Sequence, residues 1–129
     1  MAEEFFLNDI RNTGMMDIKE VDGVFVVSFK QASIAGMGEV DEISQALRGL
    51  VQGLDSCNMV VDFSAVSFFS SQMLGLLVDL WRRIKDKGGV LSISGIDPQL
   101  TRVFRITHLD KLFKFHENAE AAISSLRTS

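Results

Sequence analysis

The chain has little of several residue types, and each shortage excludes a class of protein. Its 129 residues include one cysteine, one proline and no tyrosine. The single thiol, Cys57, excludes an internal disulfide framework, and its place at the edge of an apolar run predicts a small core residue. No apolar stretch approaches the roughly 18 residues of a membrane-spanning helix, so we expect no membrane insertion.

The chain also lacks a large excess of positive or negative charge. The net charge is −4 and there is no long basic run, so nothing in the composition indicates a nucleic-acid partner. The opening residues, MAEEFFL, lack the basic segment and the long apolar core of a secretory signal. With 47% hydrophobic and 23% charged residues, the chain is globular in character. We therefore expect a cytoplasmic protein.

Motifs for catalysis and for cofactor binding are missing as well. The two histidines, His108 and His116, have no cysteine beside them, and their spacing selects no metal site. No nucleophile elbow, zincin motif or phosphate-binding loop with a lysine is present. We therefore expect no catalytic residue, no metal, no cofactor and no enzymatic activity. Gly36-Met37-Gly38 leads into a helix but lacks the third glycine of the dinucleotide fingerprint, so a small nucleotide-binding protein is the weakest functional alternative.

Segments with strand and helix periodicity alternate along the chain, which is typical of an α/β domain. The pattern predicts strands at 15–20, 24–29, 58–63, 90–94 and 113–115, and helices at 39–53, 71–87, 98–106 and from 119 onward. Asp22-Gly23 marks a hairpin between the first two strands. We expect one domain over residues 1–129, with a mixed, mostly parallel sheet and about four helices packed on one face. Residues 1–14 form a lead-in without assigned secondary structure, whose residues 5–7 are candidates to dock on the domain or on a neighbour.

The most informative segment is residues 58–82, where a buried strand leads through a short loop into an amphipathic helix. Ser70 and Ser71 open this helix, next to unpaired backbone N–H groups at the positive end of the helix dipole. A serine there can cap the helix, or it can carry a phosphate in a favourable field. The carboxyl end of a buried strand is also a functional edge of α/β folds.

The same helix divides into two faces at about 100° per residue. The apolar face predicted to be buried consists of Met73, Leu74, Leu77, Leu80, Trp81 and Ile84. The opposite stripe consists of Ser71, Gly75, Val78 and Arg82. Since glycine costs about 1 kcal/mol against alanine inside a helix, Gly75 indicates either a tolerated surface position or the close approach of another molecule.

Four segments, in the right order, resemble the STAS domains of bacterial anti-sigma factor antagonists. Residues 61–66 (VDFSAV) are similar to the end of the family's strand and its Asp-Leu-Ser turn. Residues 66–75 (VSFFSSQMLG) are similar to the family's Val-x-Phe-Ile-Asp-Ser-Ser-Gly-Leu-Gly segment. Residues 88–95 (GGVLSISG) and 106–113 (ITHLDKLF) match its glycine turn with the next strand and its Leu-Thr-Gly-Leu-Asp-Lys-Leu-Phe signature.

The resemblance implies a function and a set of site residues. Ser71 takes the position of the family's phosphorylatable serine, with Ser70, which stands where the family has Asp, as the second choice. Gln72 and Met73 replace the family's second Ser and its Gly. The partner implied is an anti-sigma factor that is also a serine kinase, which supplies the ATP and gives up its sigma factor. The implied partner-binding residues are Ser70, Ser71, Gly75, Val78 and Arg82.

The departures from the family pattern keep a second function open. Without an Asp at position 70 and with Met73 in place of Gly, the switch could be altered while the binding surface survives. The alternative is a STAS scaffold that does not switch, acting as an accessory subunit of a sensor or transporter complex.

Overall fold

The structure, a computed structural model, describes residues 16–127. The predicted lead-in, residues 1–14, lies outside this range. The elements within it follow the order β1 (Met16–Val21), β2 (Val24–Phe29), β3 (Ser33–Ile34), α1 (Met37–Gln52), β4 (Asn58–Asp62), β5 (Phe68–Phe69), α2 (Ser71–Asp86), β6 (Leu91–Ser94), α3 (Pro98–Ile106), a 3-10 turn (Leu109–Lys111), β7 (Lys114–His116) and α4 (Ala119–Arg127). All predicted strands and helices are present, with ends shifted by no more than two residues.

Five strands form one mixed sheet in the order β1-β2-β4-β6-β7. β1 and β2 are antiparallel, and Asp22 and Gly23 between them both have positive φ, 52° and 82°. This is the hairpin turn that an Asp-Gly pair favours. β2, β4, β6 and β7 are parallel to one another. Their carboxyl ends therefore lie at one edge of the sheet, the edge that carries function in α/β folds.

The two faces of the sheet support separate apolar clusters. The larger cluster joins one face, including Val27 and Val61, to α1, α2 and α3. The smaller cluster joins the other face, including Val26 and Val60, to α4. The predicted mixed sheet with four helices is confirmed, but the fourth helix lies opposite the other three rather than on the same face. The central strands are apolar on both sides, so both faces of the sheet require a helical cover.

The first ends of α3 and α4 follow sequence signals. Asp97 caps α3 by accepting a hydrogen bond from the Gln99 N–H at 2.8 Å, and Pro98 takes the first helical position. Asn118 caps α4 by accepting from the Ala121 N–H at 2.9 Å. Aspartate and asparagine are both favoured residue types at N-cap positions.

The last turn of α2 closes on two glycines. Gly88 has φ of +78°, and the N–H groups of Gly88 and Gly89 donate to carbonyls of the final turn in a Schellman motif. A side chain at Gly89 would overlap the carbonyl of Cys57, so this position admits only glycine. Cys57 is a buried core residue, as predicted; burial raises the pKa of its thiol to about 11, against a smaller opposing effect of the Lys87 charge.

A second sheet has no counterpart among the predicted elements. It consists of β3 and β5, two parallel strands of two residues each. Ile34 and Phe69 are buried, whereas Ser33 and Phe68 are exposed. Two residues are too few to give a periodic signal. This small sheet joins the loop before α1 to the loop before α2.

Candidate functional site

The loop that leads from β4 to α2 is held against the loop that leads to α1. The N–H groups of Ser67 and Phe68 donate to the carbonyl of Ala32 at 2.8 and 3.1 Å, and the Ser67 hydroxyl donates to the same oxygen. The N–H of Ser70 donates to the carbonyl of Ile34 at 3.0 Å. These bonds fix the start of α2 next to the start of α1.

The carboxyl end of β4 is braced by a polar cluster around Asp62. Its Oδ1 accepts hydrogen bonds from the hydroxyls of Ser64, at 2.6 Å, and Ser94, at 3.2 Å. Gly95, with φ of +64°, lies so close that any side chain there would collide with Ser64. The strand-to-loop turn of the 61–66 segment is therefore held by side-chain hydrogen bonds and by close packing against Gly95.

Ser70 and Ser71 lie at the N-terminal end of α2 in different surroundings. Ser71 is the first helical residue and is exposed. Ser70 occupies the N-cap position, but its hydroxyl makes no capping hydrogen bond, and its oxygen is shielded from solvent without a partner. The capping role that a serine at this end of the helix can take is therefore not taken by the Ser70 side chain. The positive end of α2 is left without a side-chain cap beside Ser71.

The predicted exposed stripe on α2 is present at three of its four positions. Ser71, Gly75 and Arg82 are exposed, but Val78 is half-buried and packs against the core. Val78 lies only about 40° around the helix from the buried Leu74, at the edge of the buried arc. The predicted burial of Trp81 is likewise only partial.

Leu76 is buried although it was not part of the predicted apolar face. It lines a groove between α1 and α2 with a volume of about 280 Å³. The groove residues are Met37, Val40, Asp41, Ser44, Arg48, Gln72, Gly75 and Leu76. The buried arc of α2 is wider than predicted because the helix packs on α1 as well as on the sheet.

Gly75 borders this groove and has no role in packing the free protein. A methyl group placed on its Cα would meet no atom within 4 Å. The fold does not require glycine there, and glycine weakens the helix by about 1 kcal/mol. A molecule that approaches the helix backbone at Gly75 would account for the residue.

Two large apolar side chains near the start of α1 and α2 are exposed and were missing from the predicted site. Met37, the first residue of α1, is 69% exposed, and Phe68 of β5 is 53% exposed. The available signal was the Phe68-Phe69 pair, since adjacent residues in a strand point to opposite sides. Met37 lines the groove with Gly75, and Phe68 precedes Ser71 by three residues, so this end of the molecule exposes apolar side chains as well as Ser71.

Asp79 joins α1 to α2 at the far end of the groove. Its Oδ2 accepts hydrogen bonds from Nε of Arg48 and from Nε of Arg83, each at 2.9 Å, and Arg82 Nη2 lies 3.7 Å from its Oδ1. Partial burial acts to raise the pKa of Asp79, but the hydrogen bonds and charges of Arg83 and Arg48 outweigh it and hold the pKa below its usual value. The carboxylate is therefore charged at neutral pH.

The residues considered for a metal site and for nucleotide binding lie on different elements. His108 starts the 3-10 turn with φ of +63°, whereas His116 ends β7. Among residues 16–127, no three His, Cys, Asp or Glu side chains gather as a metal site would require. The Gly36 N–H, which a phosphate would need, donates to the Glu39 carboxylate at 3.0 Å. In the same part of the chain no helix is long and apolar enough to cross a bilayer.

Comparison with known proteins agrees with this arrangement. The STAS domain family matches residues 15–122, and the chain belongs to that family. An anti-sigma factor antagonist STAS domain protein from Planctomyces limnophilus is 25% identical and superposes with a TM-score of 0.80, over 86% of this chain and 97% of the other. An anti-sigma factor antagonist from Mycobacterium paratuberculosis is 26% identical, with a TM-score of 0.73, over 87% of this chain and 92% of the other. The fold also matches the Bacillus cell fate determinant SpoIIAA in its phosphorylated form, at 18% identity and a TM-score of 0.68, over 87% and 99% of the two chains.

Proposed function

We propose that this protein is an anti-sigma factor antagonist, and that the surface around the N-terminal end of α2 binds an anti-sigma factor that is also a serine kinase. Binding releases the sigma factor. The observation that carries the proposal is the open space at Gly75, on a stripe that also exposes Ser71 and Arg82. Solved anti-sigma factor antagonists at 25% and 26% identity support the same class of function.

Phosphorylation of Ser71 would switch this surface off. The phosphate adds about −1.5 to −2 charges, and in the free protein those charges meet the uncapped positive end of α2. In the complex the same charges enter an interface built around the apolar Met37 and Phe68, where they are costly to desolvate. The modified protein therefore stays folded while the complex dissociates. The ATP for this reaction is bound by the partner.

The test begins with capture of partners from the native host by the full chain. Wild type should retain an anti-sigma factor, identified by mass spectrometry, and adding the chain to the purified anti-sigma–sigma complex should release the sigma factor. Gly75→Arg should abolish both effects while the protein stays folded. Gly49→Arg is the matched control, since Gly49 is also an exposed helical glycine with open space around it, but does not line the groove. Release of sigma by Gly75→Arg at the wild-type concentration would refute the proposal.

One observation favours the non-switching alternative. No acidic residue stands in the first turn of α2, and Ser70 occupies the position where the family has an aspartate beside its serine. With a scaffold function, the partner would bind as in the main proposal, but a kinase proven active on another substrate would leave Ser71 unmodified. Ser70→Asp should speed the modification of Ser71 if the switch exists.

The nucleotide-binding alternative has its own test. Glu39 holds the Gly36 N–H, and the loop offers no lysine to a phosphate. We expect titration calorimetry with ATP and GTP to detect no binding. Micromolar affinity that disappears on substitution of Gly36 or Gly38 would instead favour the nucleotide-binding function.

A further inference from the structure

The groove between α1 and α2 has ends of different character. Both helices start at the carboxyl edge of the sheet, because both connect parallel strands by crossovers of the same direction. The end of the groove next to this edge is called the outer end, and Met37 lines it. The buried side chains of Val40 and Leu76 form the floor of the groove. Arg48 lines the inner end and reaches Asp79 across the groove. An apolar end and a charged end are therefore joined by an apolar floor.

Positive charge is in excess at the inner end. The guanidinium groups of Arg48, Arg82 and Arg83 converge on the single carboxylate of Asp79, which leaves two positive charges unmatched. The chain as a whole carries −4, so this local excess runs against its overall charge. Asp41 is the acidic residue of the groove lining, whereas Asp79 lies beyond it. Asp41 is seven residues before Arg48, about 10 Å along α1, where the helix dipole offsets its charge.

The fold does not need all three arginines. Arg48 and Arg83 each hydrogen-bond Asp79 at 2.9 Å and satisfy its charge, whereas Arg82 is 68% exposed and approaches no closer than 3.7 Å. An exposed ion pair of this kind contributes little to stability. Arg82 is not among the residues that line the groove, but it lies about 10 Å beyond Gly75 on the same face of α2 and is available to a second carboxylate there.

We infer that the groove binds an acidic segment of the partner, which places an apolar side chain on the floor formed by Val40 and Leu76 and a carboxylate between Arg48 and Arg82. The inference rests on the proposed function, since it names the chemistry of the partner at the same surface. A volume of about 280 Å³ accommodates side chains rather than a whole helix, and Gly75 lets the backbone of the segment come close. Charge complementarity selects an acidic segment over a basic or neutral one.

A displayed library of random dodecapeptides tests this directly. The library is selected on the wild-type full chain and depleted on Gly75→Gln, which fills the groove without adding charge. The enriched peptides should carry an excess of Asp and Glu together with a large apolar residue, and their binding should weaken as salt is raised. Arg82→Glu should weaken binding by about five- to tenfold. Arg102→Glu, the same charge change at an exposed position on α3, should leave binding within about twofold of wild type.

The inference is wrong if the enriched peptides are neutral or basic, if both glutamate variants bind them equally, or if no Gly75-dependent enrichment occurs. Its failure is distinct from failure of the proposed function. An anti-sigma factor that requires Gly75 but tolerates Arg82→Glu would uphold the proposed function and refute the acidic segment. Selection of acidic peptides, with no sigma factor released, would uphold the groove chemistry and refute the antagonist function.

Discussion

Replacing Gly75 by alanine should make the free protein more stable. Gly75 lies inside α2, and a methyl group there meets no atom within 4 Å, so alanine brings no steric cost. The gain in helix propensity is about 0.8–1.0 kcal/mol. For a domain of this size it should raise the melting temperature by about 3–5 °C, measured by calorimetry or circular dichroism. A lower melting temperature would show that the space at Gly75 is already occupied in the folded protein and would refute the reasoning.

The same substitution should weaken binding of the anti-sigma factor. An extra methyl group in a well-packed contact costs about 1–3 kcal/mol, which is at least about a fivefold loss of affinity. Gly49→Ala is the control, because Gly49 is exposed in α1 with the same open surroundings but outside the groove. It should stabilise the fold and leave affinity unchanged. Equal affinities for wild type, Gly75→Ala and Gly49→Ala, measured by titration calorimetry, would contradict docking at Gly75.

Three further predictions concern stability, each measured by denaturant unfolding. Ser70→Ala should cost nothing or stabilise by up to about 1 kcal/mol, since it removes a shielded hydroxyl without a partner; a loss of about 1 kcal/mol would restore the capping role. Gly88→Ala should destabilise the protein by about 1–2 kcal/mol, because alanine is strained at positive φ. Gly89→Ala should destabilise it by more, because its methyl group collides with the Cys57 carbonyl, and a larger loss for Gly88→Ala than for Gly89→Ala would contradict this packing. Folding lowers the pKa of Asp79, so its ionised carboxylate stabilises the folded protein above the unfolded-state pKa of about 3.9. This stabilisation is lost as pH falls through the pKa of Asp79 in the folded protein. The free energy of unfolding of wild type should thus exceed that of Asp79→Asn at pH 7, and the difference should disappear in acid. A difference that persists below both pKa values of Asp79 would refute the prediction.

The fold follows from local signals in the chain. Asp22-Gly23, Asp97-Pro98, Asn118 and Gly88 each mark the end or turn that the structure has at that position. These residues act through their own backbone conformation or through groups a few residues away, so a sequence carries their effect directly. The position of α4 was predicted incorrectly because the choice of face depends on which side of the sheet the other helices leave uncovered.

The details of the α2 surface depend on contacts that no local pattern contains. Leu76 is buried by α1, and Val78 is half-buried by its place at the edge of the arc. The hydroxyl oxygen of an N-cap serine usually accepts a hydrogen bond from an N–H of the first turn, but the Ser70 hydroxyl is shielded from solvent and makes no such bond. The exposed fraction of a side chain is set by its neighbours in space, so periodicity identified the stripe but not its borders.

Of the three arginines around Asp79, only Arg82 belonged to the predicted site, and Arg48 and Arg83 were missing from it for the same reason. Arg48 and Asp79 are 31 residues apart in sequence and meet only because α1 and α2 pack side by side. In the sequence, Arg83 is one of several basic residues near the end of a helix, which is typical of a solvated face. The convergence of the three arginines on one carboxylate is a property of the tertiary structure.

The most direct test of an antagonist that is switched at Ser71 is phosphosite mapping, combined with affinity measurement, after incubation of the full chain with its cognate kinase and ATP. The account predicts phosphate on Ser71, and loss of kinase affinity in both the phosphorylated protein and Ser71→Asp. Ser71→Ala should bind as wild type does and remain unmodified. The Ser71 switch would be contradicted by phosphate on Ser70 alone, or by phosphate on neither serine when the kinase is proven active. It would also be contradicted by phosphate on Ser71 that leaves the affinity for the kinase unchanged.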